Sequence, residues 1–163
     1  MTLSRDVGAP PSLGPPAGDN NGGIVLDSAG FEILDRAECL SLLSKATLGR
    51  VAVTIGALPA IFPVNFCMVA GQVVFCSGEG TKLTAALSGT IVAFETDWAC
   101  EPGGEVWSVQ MVGASRVVDP AADRVAAELA ALRSWAPVPR RYLVKITPEK
   151  ISGRRLPARS RPG

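Results

Sequence analysis

Apolar residues recur along this chain mainly at a spacing of two. Between positions 49 and 97 the sequence GRVAVTIGALPAIFPVNFCMVAGQVVFCSGEGTKLTAALSGTIVAFETD breaks into β-branched and aromatic runs separated by glycine-bearing turns. That pattern belongs to strands. It predicts strands over 51–55, 60–68, 72–77 and 91–96, after a short one over 30–34. Pro63 inside the second implies an edge or a bulge, because proline donates no ladder hydrogen bond. Ala70-Gly71 reads as the hairpin turn that follows it. The run 106–118 alternates well enough for one strand or a bent pair, and the last strands are expected over 142–146 and 151–154. Helical spacing is rarer. Asp35 with Glu38 makes an approximate capping box, behind which Cys39, Leu42, Leu43 and Ala46 share one face and Gly49 stops the helix. A second short helix is expected over 81–87. Asp119-Pro120 reads as an N-cap with proline at the first helical position, opening a third whose buried face is Val125, Leu129 and Leu132. Many antiparallel strands with a few short helices give an α+β, mainly β, barrel or sandwich.

Residues 1–23 are rich in Pro, Gly, Ser, Asn and Asp, and are expected to form a disordered arm. One domain is expected over 24–158, followed by a basic tail over 159–163. With 163 residues, 47% of them hydrophobic, the chain can bury one real core. A formal charge of +1 speaks against a nucleic-acid binder, which needs a concentrated positive surface. No apolar run is long enough to cross a bilayer, and the N-terminus lacks a secretory signal, so no membrane partner and a cytoplasmic location are expected.

The composition removes much ordinary chemistry. With no histidine, Ser-His-Asp and Cys-His nucleophiles and every histidine-ligated metal or haem site are excluded within the chain. Cys39, Cys67, Cys76 and Cys100 form no C-x-x-C pair, and four reduced thiols are expected in a reducing compartment. Redox or group-transfer chemistry would have to come from a cofactor.

Candidate binding chemistry gathers after the third strand. In S-G-E-G-T-K-L, glycines let backbone N–H groups approach an anion, Ser77 and Thr81 offer hydroxyls, and Lys82 offers charge. The same residues also suit a plain connection in which Thr81 caps a helix and Lys82 is solvated. Glu95 and Asp97, at i and i+2 on a strand, face the same side and read as a solvated strand end. Arg140, Arg141 and the Arg154-Arg155 pair read as a solvated basic cluster.

The ordered set G-R-V-A-V, P-V-N, G-T-K-L, F-E-x-D and W-S-V resembles the pyridoxamine 5'-phosphate oxidase-like proteins, and among them a compact actinobacterial-type branch. The similarity runs from about Asp35 to Leu156. It implies an antiparallel split β-barrel and a homodimer with a cofactor cleft at the subunit interface. It implies FMN as cofactor, its phosphate held by Arg50, Cys76, Ser77, Thr81 and Lys82. The strand backbone of Pro63, Val64, Asn65 and Phe66 would lie against the ring. Trp107 and Ser108 would flank the ring, although a core or interface tryptophan explains Trp107 equally well. Trp135, Arg140, Arg141 and Arg154 are weaker candidates for reaching the partner's cofactor. One departure stands out: where the branch often carries a basic residue after V-V-F, this chain has Cys76. The loss of a charge-assisted hydrogen bond there costs about 1.5–3 kcal/mol of phosphate binding. The resemblance thus implies a flavin-dependent oxidoreductase of unknown small-molecule substrate. The alternatives are a deazaflavin-binding reductase and a cofactor-free binding or stress-response module of the same fold.

Overall fold

The computed structural model describes residues 24–78, 87, 89–99, 105–119, 121, 123–124 and 140–156. Among these residues, seven strands and one helix run in the order β1 (Glu32–Leu34), α1 (Arg36–Lys45), β2 (Leu48–Ile55), β3 (Leu58–Val69), β4 (Gln72–Gly78), β5 (Ile91–Ala99), β6 (Val106–Val118) and β7 (Arg140–Leu156). The sheet order is β1-β7-β4-β3-β2-β5-β6, and β6 also pairs with β7. Six antiparallel strands therefore close into a barrel, with β1 added outside on β7. The pattern left a barrel or a sandwich open; the mainly β, antiparallel barrel that the resemblance implies is the fold observed.

Alternation sorts each strand between the barrel interior and its outer face. Val51, Val53, Val64, Phe66, Phe75, Val92, Phe94, Val109, Met111, Val144 and Ile146 fill the interior. The rings of Phe66 and Phe94 meet edge to face, with centroids 4.8 Å apart and planes at 71°. Helix α1 adds Cys39, Leu42 and Leu43 to this core. Its start is as expected: the Asp35 carboxylate accepts from the Glu38 N–H at 2.8 Å, and the Asp35 N–H donates to Glu38 Oε2 at 3.1 Å.

Cys39 has a consequence for stability. Its thiol is fully buried and points at Leu34 O, 3.9 Å away. Burial, with the nearby Asp35 and Glu38 carboxylates, pushes it up to about 11. In the unfolded chain a thiol ionises near pH 8.5. Between that value and about 11 the unfolded state releases a proton that the fold retains, so stability falls as pH rises. Urea denaturation at pH 7, 9 and 10.5 should show this alkaline loss, and Cys39→Ala should flatten it. An equal slope in both proteins would assign the loss to other groups.

Three expectations are corrected. Gly49 does not stop α1, which ends in Ala46 with extended backbone; Gly49 lies within β2. A Cβ there would stand 2.2 Å from Phe94 Cζ, so the position is glycine because an aromatic ring packs on its backbone. The two last strands are one, β7. Its partner β6 shifts register between Val112 and Gly113, passing from Lys150 to Pro148. Pro148-Glu149 is thus a bulge in a continuous strand, stabilised by partners along its length. The 106–118 run is one strand, the first of the two forms expected for it. The last concerns Arg155, expected in a solvated cluster. It forks onto Glu32 with two contacts of 2.9 Å and reaches Glu38 at 3.2 Å. That fork holds Glu32 below the usual carboxylate range and ties β1 and the start of α1 to β7.

The helices expected over 81–87 and after Asp119 fall largely outside the described residues, as do Cys100, Trp135 and the turn over 101–104. The Asp119 carboxylate does accept from the Ala121 N–H at 2.8 Å, as a capping side chain would.

Candidate functional site

The barrel wall opens between β3 and β4. These strands pair only from Phe66–Phe75 to Val69–Gln72. Before Phe66, β3 continues alongside β2, from Leu48–Asn65 to Ile55–Leu58. After Phe75, β4 continues alongside β7 and shifts register between Ser77 and Gly78. Among the described residues, β3 from Leu58 to Asn65 thus has a strand on one side only. The expectation of a local edge at Pro63 agrees with this.

Hydrogen-bond alternation shows what the edge offers. The Phe66 N–H donates to Thr47 O at 3.0 Å, so Phe66, Val64 and Phe62 form the hydrogen-bonded pairs with β2. The backbone groups of Asn65, Pro63 and Ile61 therefore face the opening. Pro63, lacking an N–H, sits where none is needed by β2 and presents only a carbonyl. Asn65 presents both a donor and an acceptor. P-V-N is a short strip of mixed polarity on a rigid strand.

Side chains divide by face. Pro63 and Asn65 lie on the outer face with Arg50, whose register partner is Pro63, whereas Val64 and Phe66 point into the core. Cys76 also lies outward, in a small apolar cluster with the fully buried Val74 and Leu143 and with Cys67, Val69 and Val118. Apolar packing therefore occupies the position of Cys76. Ser77 points inward and is buried. Trp107 belongs to the core, and Ser108 is half-buried on the outer face between Asp97 and Arg154. Thr81 and Lys82 lie outside the described residues, and Arg140 and Arg141 open β7.

Sequence reasoning missed the partners of Arg50. Strand β2 pairs with β5 so that Arg50 stands opposite Glu95. Its Nη1 donates to Asp97 Oδ1 at 2.5 Å and to Glu95 Oε2 at 3.1 Å. Asp97 first, then Glu95, pushes the guanidinium above its ordinary value. The two carboxylates read as a solvated strand end instead hold this cation, and the cluster carries one net negative charge. The F-E-x-D spacing put both carboxylates on one face; their meeting with Arg50 depends on two strands 45 residues apart in the chain. Arg154 reaches Asp27 at 3.5 Å on the exposed surface.

The sequence over residues 35–155 matches the family described as Pyridoxamine 5'-phosphate oxidase. The chain belongs to the pyridoxamine 5'-phosphate oxidase family. Within that setting it is 38% identical over 138 residues to an uncharacterized protein of Mycobacterium tuberculosis, covering 78% of this chain and 87% of that one. Its fold matches the FAD binding protein from Mycobacterium smegmatis with a TM-score of 0.62 and 34% identity, covering 76% of this chain and 98% of that one. It also matches a conserved protein of unknown function from Corynebacterium diphtheriae, with a TM-score of 0.59 and 30% identity, covering 76% and 96% of the two chains. No helix among the described residues of this family member is long and apolar enough to cross a membrane.

Proposed function

We propose that this protein binds a flavin nucleotide at the opening between β3 and β4 and works as a flavin-dependent oxidoreductase. The observation that carries the reading is the edge at Pro63–Asn65, which has no strand on its β4 side among the described residues, beside the exposed Arg50, in a chain similar to an FAD binding protein over nearly that protein's whole length. The edge fits the group. A flavin ring carries donors and acceptors along one side, and the Pro63 carbonyl and the Asn65 backbone groups offer complementary ones. When bound, a flavin supplies hydride exchange with a reduced nicotinamide or a small organic substrate. The chain's own part is to orient the ring with strand backbone and to anchor the tail. Thr81 and Lys82 are the proposed anchors, with FMN the cofactor implied by the motif set.

A homodimer belongs to the same reading. Leu48, Ile61 and Ile91 stand exposed on the outer faces of β2, β3 and β5, around the Arg50 cluster. Exposed apolar groups on one face of a barrel are suited to a second copy, which would enclose the cleft. A cytosolic location, where thiols stay reduced, is part of this proposal.

The test is the visible spectrum of the purified protein, with titration by FMN, FAD and a deazaflavin and a light-scattering mass on the same sample. A flavin spectrum or saturable quenching, with a mass twice that of the chain, is expected. A colourless protein that ignores all three would leave a cofactor-free binding module.

A further inference from the structure

The free edge of β3 extends well beyond the P-V-N strip. From Leu58 to Asn65 the strand pairs with β2 alone among the described residues. Gly56 and Ala57, both at positive φ, make a two-residue turn that sets Ile55 and Leu58 as a hydrogen-bonded pair. The Phe66–Thr47 bond fixes the same phase from the other end. Leu58, Ala60, Phe62 and Val64 therefore direct their backbone groups to β2. Pro59, Ile61, Pro63 and Asn65 direct theirs to the opening.

Such an edge is a template for another strand. Its side chains favour that outcome, since Leu58 is 71% and Ile61 67% exposed. The sequence from Val51 to Gly78 carries no Asp, Glu, Lys or Arg, so the charges that usually protect an exposed edge are missing. Proline stands instead at two of the four positions that face the opening, and at none of the four that face β2. An incoming strand would find carbonyls at Pro59 and Pro63 but no donor, and a pyrrolidine ring where each N–H should be. A small planar ligand needs no continuous ladder, and the Ile61 and Asn65 N–H groups remain available to it.

We infer that Pro59 and Pro63 act together to keep the β3 edge from taking up a strand of a second copy of this chain, leaving the opening free for a small molecule. The inference goes beyond the flavin reading and does not depend on it. A second copy packed on the outer faces of β2, β3 and β5 is compatible with it, because that contact uses side chains rather than the edge.

The double variant Pro59→Thr/Pro63→Thr returns both donors and adds strand preference without adding charge. Neither position bonds to β2, so the variant should keep the wild-type circular dichroism. Light-scattering mass against concentration should show assemblies larger than wild type, with association tighter by on the order of three- to tenfold per restored donor. Adding Ile61→Lys to the double variant should return the mass to the wild-type value or below, because a charge on the edge opposes pairing. Hydrogen exchange should find the amides introduced at positions 59 and 63 slow only in the assemblies. A double variant with the wild-type mass at every concentration would overturn the inference. Assemblies that survive Ile61→Lys would also overturn it, since another surface would then be joining the copies. So would slow exchange at positions 59 and 63 in the unassembled variant, because another segment of the chain would then cover the edge. If the double variant loses its fold, each single variant carries the same comparison. Failure of the wild-type protein to bind flavin removes the proposed function alone and leaves these outcomes unchanged.

Discussion

Gly113→Ala is expected to lower the melting temperature by about 6–12 °C. A Cβ at this position would lie 1.9 Å from the Thr147 carbonyl oxygen and 2.8 Å from its carbon. The obstacle is backbone, so no side chain can turn aside. It is also the backbone of β7 at the Pro148-Glu149 bulge, where β6 closes the barrel. Added atoms in a well-packed interior cost about 1–3 kcal/mol, and more where strands must separate. A cost of about 3 kcal/mol corresponds to the stated shift for a chain of this size. Thermal unfolding followed by circular dichroism measures it. Ser152→Ala, exposed on the partner strand β7, is the control and should stay within about 0.5 kcal/mol of wild type. If Gly113→Ala melts with the control, the bulge yields easily and is not what closes the barrel.

Phe66→Ala should cost about 3–5 kcal/mol, a large part of the stability of an ordinary domain. Phe66 is 1% exposed and meets Phe94 edge to face. Phe94 in turn covers the bare backbone of Gly49. Removing the Phe66 ring takes away one wall of this stack and leaves a cavity that Gly49, with no side chain, cannot fill. Phe66→Leu, which keeps most of the volume, should lose much less. Urea denaturation of both variants at neutral pH decides the matter. Similar losses from Ala and Leu would mean that ring geometry, rather than volume, sets the energy. Phe66 shares a strand with Pro63 and Asn65, so this core position also holds the candidate ring-binding edge in place.

Much of the architecture was legible because it is local. The Asp35–Glu38 box closes within one helical turn, and its two hydrogen bonds need nothing from the rest of the chain. The Ala70-Gly71 hairpin is set by two residues that both adopt positive φ, 48° and 76°. Strand alternation in β2, β5 and β6 follows from the need to bury every second residue. The errors came where long-range contacts override local signals. Gly49 looked like a helix stop, yet the ring of Phe94 requires glycine there inside a strand. Pro148 and Glu149 looked like a break, yet β6 bridges them.

The candidate site divides in the same way. Pro63 and Asn65 were readable as a strand with a missing donor, because proline carries that information itself. That the missing donor faces an opening depends on β4 leaving β3 after Phe75. Cys76 was readable as a lost charge, but its packing with Val74 and Leu143 was not.

By itself, then, the sequence determined most of the strands, the capped helix, the mainly β class and the absence of histidine chemistry, all properties of residue types and their short-range spacing. Only the tertiary structure decided that Arg50 belongs to Glu95 and Asp97, and that Arg155 belongs to Glu32. Those partners lie 45, 47 and 123 positions apart and meet because barrel closure, driven by burial of the shared core, sets strands side by side in a register that no local pattern encodes.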